Sequence, residues 1–198
     1  MSKKILVLHG GGMDSTVCLY EAFNGSEAEV VSLGIDYGQR PSVELLFAAR
    51  QCAAKNIERQ FIKVQWEKPA GDIPVRREGQ EIKGGVSHAF LSSRNLFFLA
   101  LGSAQAAAIG ADELHIGINS EDFPGCPDCT PEFFDAFSAV HGLTGAPKLK
   151  IVAPLPQMSK PKIAKLAQRL GIGPLDTWSC YRPKIDGGTV GPCEECDA

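Results

Sequence analysis

A chain of 198 residues with 44% hydrophobic side chains can bury one full core, so it reads as one domain with at most a small appendage. Its net charge of −3 gives no footing for non-specific nucleic-acid binding. No apolar run is long enough to span a bilayer, and two lysines ahead of the first strand do not make a signal peptide; the expectation is a cytoplasmic protein with neither nucleic acid nor membrane as a partner.

The first apolar run, Ile5 to Leu8, ends in Gly10-Gly11-Gly12. Asp14-Ser15-Thr16 then opens a helical pattern through Val17, Cys18, Leu19, Tyr20 and Ala22. Glycines let the backbone take positive φ and approach a ligand closely, and the unpaired amides at a helix start favour anions. Strand, glycine loop and helix together make a phosphate cradle. It is neither of the two commonest kinds: no Lys stands where Gly-x-x-x-x-Gly-Lys-Ser/Thr needs one, and the Gly-x-Gly-x-x-Gly spacing is missing.

A second run, Ala28 to Ile35, breaks into Asp36-Tyr37-Gly38-Gln39-Arg40. Pro41 suits a helix's first turn, and Val43, Leu45, Leu46, Ala48, Ala49 and Cys52 carry the helix to about Ala54. Phe61 to Val64 make a third strand, preceded by Asn56-Ile57-Glu58-Arg59. Alternating strands and helices imply a parallel sheet with helices on its faces. Ligands of such sheets sit beyond the carboxyl ends of the strands, which puts the glycine loop and Asp36-Tyr37-Gly38 in one site.

Residues 65 to 92 have no period and are punctuated by Pro69, Gly71, Pro74, Gly79, Gly84 and Gly85. So long an irregular stretch reads as a lid or binding segment, or as a surface excursion. Ser92-Ser93-Arg94-Asn95 opens a long helix to Gly110, small and apolar enough to be expected buried on most sides. Glu113 to Ile118 form the fourth strand, and a loop runs from Asn119 through Asp122 to Cys129. A helix from Pro131 to about His141, a fifth strand from Leu149 to Val152, and a helix from Ser159 to Leu170 follow, with Lys160 opening the last near the same strand edge. The remainder, Asp176 to Ala198, shows no hydrophobic period. The expected fold is α/β: a doubly wound, five-stranded parallel sheet with right-handed crossovers over residues 1–175, and a cysteine-bearing tail over 176–198.

The run Gly10-Gly11-Gly12-Met13-Asp14-Ser15 resembles the Ser-Gly-Gly-x-Asp-Ser loop of the PP-loop ATP pyrophosphatases, with Gly10 in place of the first Ser. Further segments follow in order: Asp36-Tyr37-Gly38-Gln39-Arg40 with Glu44, Ser93-Arg94-Asn95, Pro127-Asp128-Cys129, Pro154-Leu155 with Lys160, and Ser179-Cys180-Tyr181 ahead of Cys193-Glu194-Glu195-Cys196. Taken together, they make the chain similar, over nearly its whole length, to the 7-cyano-7-deazaguanine synthases of queuosine precursor synthesis.

That resemblance implies the adenine nucleotide α-hydrolase-like fold and an ATP-dependent carbon–nitrogen ligase. ATP as its Mg²⁺ complex is the cosubstrate, and a 7-deazaguanine carboxylate and ammonia are the other partners. The acid is adenylated, ammonia displaces AMP, and a second ATP drives dehydration of the amide to the nitrile. Leu8, His9, Gly10, Gly11, Gly12, Met13, Asp14, Ser15 and Thr16 would hold the phosphates, with Asp36, Tyr37 and Gly38 near the base. Asp14 would act as a Mg²⁺ or water-network partner, or simply as a helix N-cap. Arg94 and Lys160 would meet charge developing on phosphate oxygens. Arg94, Asn95, Asp122 and Asp128 would face the acceptor, Asp128 reading N–H groups of its aminopyrimidinone edge. A homodimer is carried over from the same family.

Seven cysteines in a cytosolic chain point to metal or catalysis more than to disulfides. Cys193-x-x-Cys196 with Cys180 has structural zinc spacing. The resembled family adds a fourth Cys three residues after Cys196, one position beyond Ala198. The expectation is therefore a chain cut short of it, or a fourth ligand from Asp197, the terminal carboxylate, water or a partner chain. Cys126-x-x-Cys129 has redox spacing, but the family carries Cys only at the second position and usually Tyr at the first, so Cys126 reads as a substitution. Cys18 and Cys52 read as core, and His9, His88, His115 and His141 show no paired spacing. Gly10, Pro41, Pro124 and Cys126 all depart from the family at ligand-facing loops. They leave open a member that adenylates another carboxylate, and a nucleotide-binding subunit with little turnover.

Overall fold

The computed structural model describes residues 2–38, 43–65, 93–122, 126–178, 180, 184–186 and 189–191. The chain builds its sheet from β1 (Lys4–Leu8), β2 (Glu29–Asp36), β3 (Glu58–Lys63), β4 (Glu113–His115) and β5 (Lys150–Val152). All pairings are parallel and the order is β3-β2-β1-β4-β5. Around it lie α1 (Met13–Asn24), α2 (Val43–Lys55), α3 (Arg94–Ile109), α4 (Pro131–Gly142) and α5 (Lys160–Arg169). The five-stranded parallel sheet with flanking helices is the expected one.

Side chains alternate across a strand, and β1 shows why its apolar run is continuous. Ile5 and Val7 enter the core shared with Val17 and Leu19 of α1 and Ile163 of α5. Leu6 and Leu8 enter the opposite core, with Leu99 of α3 and Phe134 of α4. The strand order reverses between β2 and β4, on either side of β1, which opens a crevice at their carboxyl ends. The loop after β1 starts there. Among the described residues no helix is long and apolar enough to cross a membrane.

Several expectations shift. The third strand is Glu58–Lys63, not Phe61 to Val64. Among the described residues it lies at the sheet edge and pairs with β2 alone, so Glu58, Arg59 and Gln60 are accommodated without an apolar run. The fourth strand stops at His115, because Gly117 passes under the first turn of α1: a Cβ there would lie 2.9 Å from the carbonyl carbon of Asp14. Helix α3 is not buried on most sides. Asn95, Leu99, Gly102, Ser103 and Ala106 form one inward stripe, while Leu96 is 45% exposed. Its alanines serve helix propensity as much as the core.

The tail carries a short antiparallel hairpin, β6 (Lys184–Asp186) with β7 (Thr189–Gly191), which the period missed. The sequence between the strands, Gly187-Gly188, is a hairpin signal in its own right. The tail also docks: the Trp178 amide donates to the Gly11 carbonyl at 3.1 Å, and Trp178 and Cys180 are buried against Val43, with Phe47 alongside. The irregular stretch over 66–92, the segment 39–42 with Pro41, Pro124, and Cys193 and Cys196 lie outside the described residues.

Candidate active site

The phosphate-loop candidate leaves β1 and wraps the start of α1. Gly12 is the N-cap residue, and its carbonyl accepts from the Thr16 amide at 3.1 Å. Asp14 therefore sits inside the first turn and is not the cap. Gly11 takes φ +101°, with α2 pressed against it: a Cβ there would overlap the Glu44 carbonyl and lie 2.9 Å from the Ala48 amide nitrogen. The Ser15 hydroxyl donates to the Gly12 carbonyl at 3.1 Å, and Thr16 Oγ1 lies 2.8 Å from the same oxygen. Ser15 faces the cavity and Thr16 does not.

The loop opens on a cavity of about 600 Å³ whose walls come from the carboxyl ends of β1, β2 and β4 and the starts of α1, α3 and α5. Lys160 and Asp14 meet across it, Nζ to Oδ2 at 2.5 Å. Asn119 donates from Nδ2 to Asp14 Oδ2 at 3.1 Å and to Asp122 Oδ2 at 2.7 Å. Glu121 accepts from the Lys160 amide at 2.7 Å and so anchors the start of α5. Burial acts to lower the Lys160 pKa, but the hydrogen bond to Asp14 and the charges of Asp14, Asp122 and Glu121 outweigh it and raise it. Lys160 is thus a fixed cation beside the loop. Asp14 Oδ1 is buried and without a hydrogen-bond partner among the described residues. An orphaned carboxylate oxygen facing a phosphate loop suits a hard cation carried on the phosphates.

Arg94, at the first turn of α3, lines the same cavity and lies within electrostatic reach of Glu44, Asp122 and Cys126. Burial pushes the Glu44 carboxyl up to about 7, and Arg94 only partly opposes it. This carboxyl holds its proton in the folded chain and releases it near 4.5 when unfolded. Between those values the folded state binds more protons, so the Glu44 contribution to stability falls as pH rises and is lost by about pH 7. His9 acts with the opposite sign, because burial, then Arg59, lowers its pKa to about 3. We therefore expect the urea midpoint of Glu44→Gln, relative to wild type, to climb steadily from pH 5 to pH 7.5. Parallel curves would assign Glu44 an ordinary carboxylate.

The structure brings Leu8, His9, Gly10, Gly12, Met13, Asp14, Ser15, Tyr37, Arg94, Asn95, Asp122 and Lys160 to one cavity. Gly11 and Thr16 shape its wall from behind. Asp36 holds the next turn by accepting from the Gly38 amide at 3.0 Å. Asp128 stands behind the wall, 7% exposed: its carboxylate accepts the Asn95 amide at 2.9 Å and so caps α3. The group the sequence offered to the acceptor thus braces the start of α3. His9 lines the cavity, but its ring points into the protein. Nε2 donates to Gln51 Oε1 at 2.8 Å, and Nδ1 accepts from Ser32 Oγ at 3.0 Å. Gln51 in turn donates to the Gly11 and Asp176 carbonyls, which ties loop, α2 and tail together.

Residues not assigned from the sequence complete the site. Leu33, Ile35, Phe98 and Ile116 give it an apolar side, and Trp178 closes one rim. Asn119 is the hinge of the acidic cluster. Its position directly after a strand carboxyl end was the available signal, but no spacing marks an Asn as a bridge between two carboxylates. Of the three proposed zinc thiols, Cys180 is buried, and its carbonyl accepts from Trp178 Nε1 at 2.6 Å. Among the described residues no three His, Cys, Asp or Glu side chains gather as a metal site, the other two thiols lying outside them.

A family model described as "Queuosine biosynthesis protein QueC" matches residues 4–198. The chain is 53% identical over 196 residues to 7-cyano-7-deazaguanine synthase 2 of Rhodopseudomonas palustris (strain HaA2), covering 99% of this chain and 93% of that protein. It is 38% identical over 203 residues to the 7-cyano-7-deazaguanine synthase of Novosphingobium aromaticivorans, covering 96% and 85%. Among solved structures, the U34-tRNA thiolase NcsA from Methanococcus maripaludis superposes with a TM-score of 0.56 at 14% identity, over 86% of this chain and 58% of that one. The NH3-dependent NAD synthetase from Campylobacter jejuni gives 0.51 at 16% identity, over 85% and 64%. At such identities the two structures speak for the fold alone.

Proposed function

The chain belongs to the queuosine biosynthesis protein QueC family, and from that premise we propose that it converts 7-carboxy-7-deazaguanine and ammonia to 7-cyano-7-deazaguanine with ATP, releasing AMP and pyrophosphate. The observation that carries the reading is the cavity in which the Gly10–Thr16 loop faces Lys160 and Arg94.

A carboxylate oxygen is a poor leaving group and AMP a good one. In the first half, the acid oxygen attacks the α-phosphorus of ATP and pyrophosphate leaves. Ammonia adds to the acyl carbon, AMP leaves, and a proton is lost to give the amide. In the second half, the amide oxygen attacks a second ATP, again with loss of pyrophosphate, and AMP departs as the nitrogen gives up both its protons to leave the nitrile.

The residues have separable tasks. Loop amides and Ser15 hold phosphate oxygens, once the Ser15 hydroxyl turns from the Gly12 carbonyl. Lys160 and Arg94 stabilise charge that grows on those oxygens in the transition state. Asp14 is the residue placed to hold Mg²⁺, which when bound neutralises phosphate charge as a Lewis acid. Asp122 and Asn119 keep Asp14 and Lys160 in register. The apolar side around Phe98 and Ile116 suits a flat heterocycle. In the same reading Cys180, Cys193 and Cys196 hold a zinc ion that closes the tail, supplying folding energy and not chemistry.

The test is to incubate the protein with Mg-ATP, the acid and an ammonium salt and to follow nucleotide and nitrile by mass spectrometry. We expect AMP and the cyano product together. ADP in place of AMP would overturn the pyrophosphatase chemistry. AMP formed only with a different carboxylate would keep that chemistry and replace the acceptor. ATP bound without turnover would leave a nucleotide-binding subunit.

A further inference from the structure

Two thiols stand in the cavity wall with no part in the adenylation chemistry. Cys126 and Cys129 both line the cavity, the first half-buried and the second 4% exposed, and both are reduced. They end the single turn of 3₁₀ helix over Pro127–Cys129. The Cys129 amide donates to the Cys126 carbonyl at 2.9 Å, which folds the turn back on itself and brings residues 126 and 129 together. The turn is held from outside: Asn95 Nδ2 donates to the Asp128 carbonyl at 3.1 Å and lies 3.1 Å from Cys129 Sγ. Two cysteines at the ends of one closed and braced turn need little backbone movement to reach disulfide geometry.

We propose that Cys126 and Cys129 are a redox-active thiol pair that closes reversibly to a disulfide in the wall of the ligand cavity. The oxidant is a low-molecular-weight disulfide of the glutathione type. The Cys126 thiolate attacks one sulfur of that disulfide, and one small thiolate leaves. Cys129 then loses its proton and attacks Cys126 Sγ in the mixed disulfide, releasing the second small thiolate. The pair gives up two electrons and two protons, and the small disulfide becomes two thiols.

The two sulfurs differ in the way these roles require. The hydrogen bond from Cys129 lowers the Cys126 pKa and Arg94 adds to this, against burial, Asp122 and Asp128. The same hydrogen bond, then burial, raises that of Cys129. The less buried cysteine is therefore the attacking thiolate and the more buried one resolves it. Closing the bond perturbs the Asn95 brace on Cys129 Sγ, beside Arg94 at the start of α3. On the ligase reading above, the oxidised enzyme turns over more slowly; the disulfide itself does not depend on that reading.

The sequence makes the test clean. No Lys or Arg lies between Arg94 and Lys148, so one tryptic peptide, residues 95–148, holds these two cysteines and no others. The full chain is equilibrated over a series of reduced-to-oxidised glutathione ratios, its thiols are blocked with N-ethylmaleimide, and this peptide is weighed. We expect a species two hydrogens lighter and unlabelled, rising with the oxidised fraction and reversed by dithiothreitol, and absent in Cys126→Ser. Two labelled thiols at every ratio would overturn the proposal. So would glutathione retained on Cys126 without passing to Cys129. A disulfide found with unchanged AMP formation would keep the pair and overturn only its hold on the site.

Discussion

Lys160→Ala lowers the rate of AMP formation at saturating ATP by about 10²- to 10³-fold, the loss seen when one preorganised donor to a developing oxyanion is removed. The expectation follows from how Lys160 is held. Its amide is fixed by Glu121, its Nζ by Asp14, and it faces the loop from the opposite wall of the crevice. A donor built in this way does not reorganise during the reaction. Asp14 is ordered by Asn119 as well, so the variant keeps the acidic cluster in place and its thermal stability should change little. Steady-state kinetics with AMP as the readout, alongside a melting curve, check both halves. A rise in KM with kcat intact would make Lys160 a ground-state binder of phosphate. Lys160→Arg restores charge without the single-point geometry and should recover only part of the rate.

Gly11→Ala has the largest expected effect on the fold. At φ +101° an L side chain is strained whatever the space, and here there is none. The new methyl would overlap the Glu44 carbonyl and lie 3.0 Å from its carbon, both backbone atoms of a helix that cannot swing aside like a side chain. Relief requires α2 and the loop to separate. That would also break the Gln51 and Trp178 hydrogen bonds to the Gly11 carbonyl. We expect a loss of roughly 3–5 kcal/mol, at the severe end for a single substitution. Urea unfolding measures it, or failure to recover soluble protein where the loss exceeds the total stability. Gly38→Ala is the control: it also has positive φ, but open space around it, and should cost no more than about 2 kcal/mol. If the two variants unfold alike, backbone strain and not the helix contact sets the cost.

Much of this protein was legible in the chain. The alternation of apolar runs with helical periods dictates a parallel sheet, because Leu6 and Val7 are neighbours in sequence and enter opposite cores, which only a strand covered on both faces permits. The glycine loop after β1 and the residues opening α3 and α5 could be assigned to one site by the same rule, since all lie where parallel strands end. The tertiary structure alone decided what those groups touch. Asp128 braces α3, and no sequence spacing reports a hydrogen bond made 33 residues away to the Asn95 amide. Glu44 stands in the sequence only as a member of the motif after the second strand; its raised pKa comes from burial, a property of the packed chain. The start of β3 and the tail hairpin escaped because they are peripheral, held by pairing with a neighbour and not by a periodic apolar face. Cys126 looked like a bare substitution in sequence. Only the closed turn over Pro127–Cys129 brings it back to Cys129 in the wall of one cavity, because proximity of that kind is fixed by backbone geometry that composition does not record.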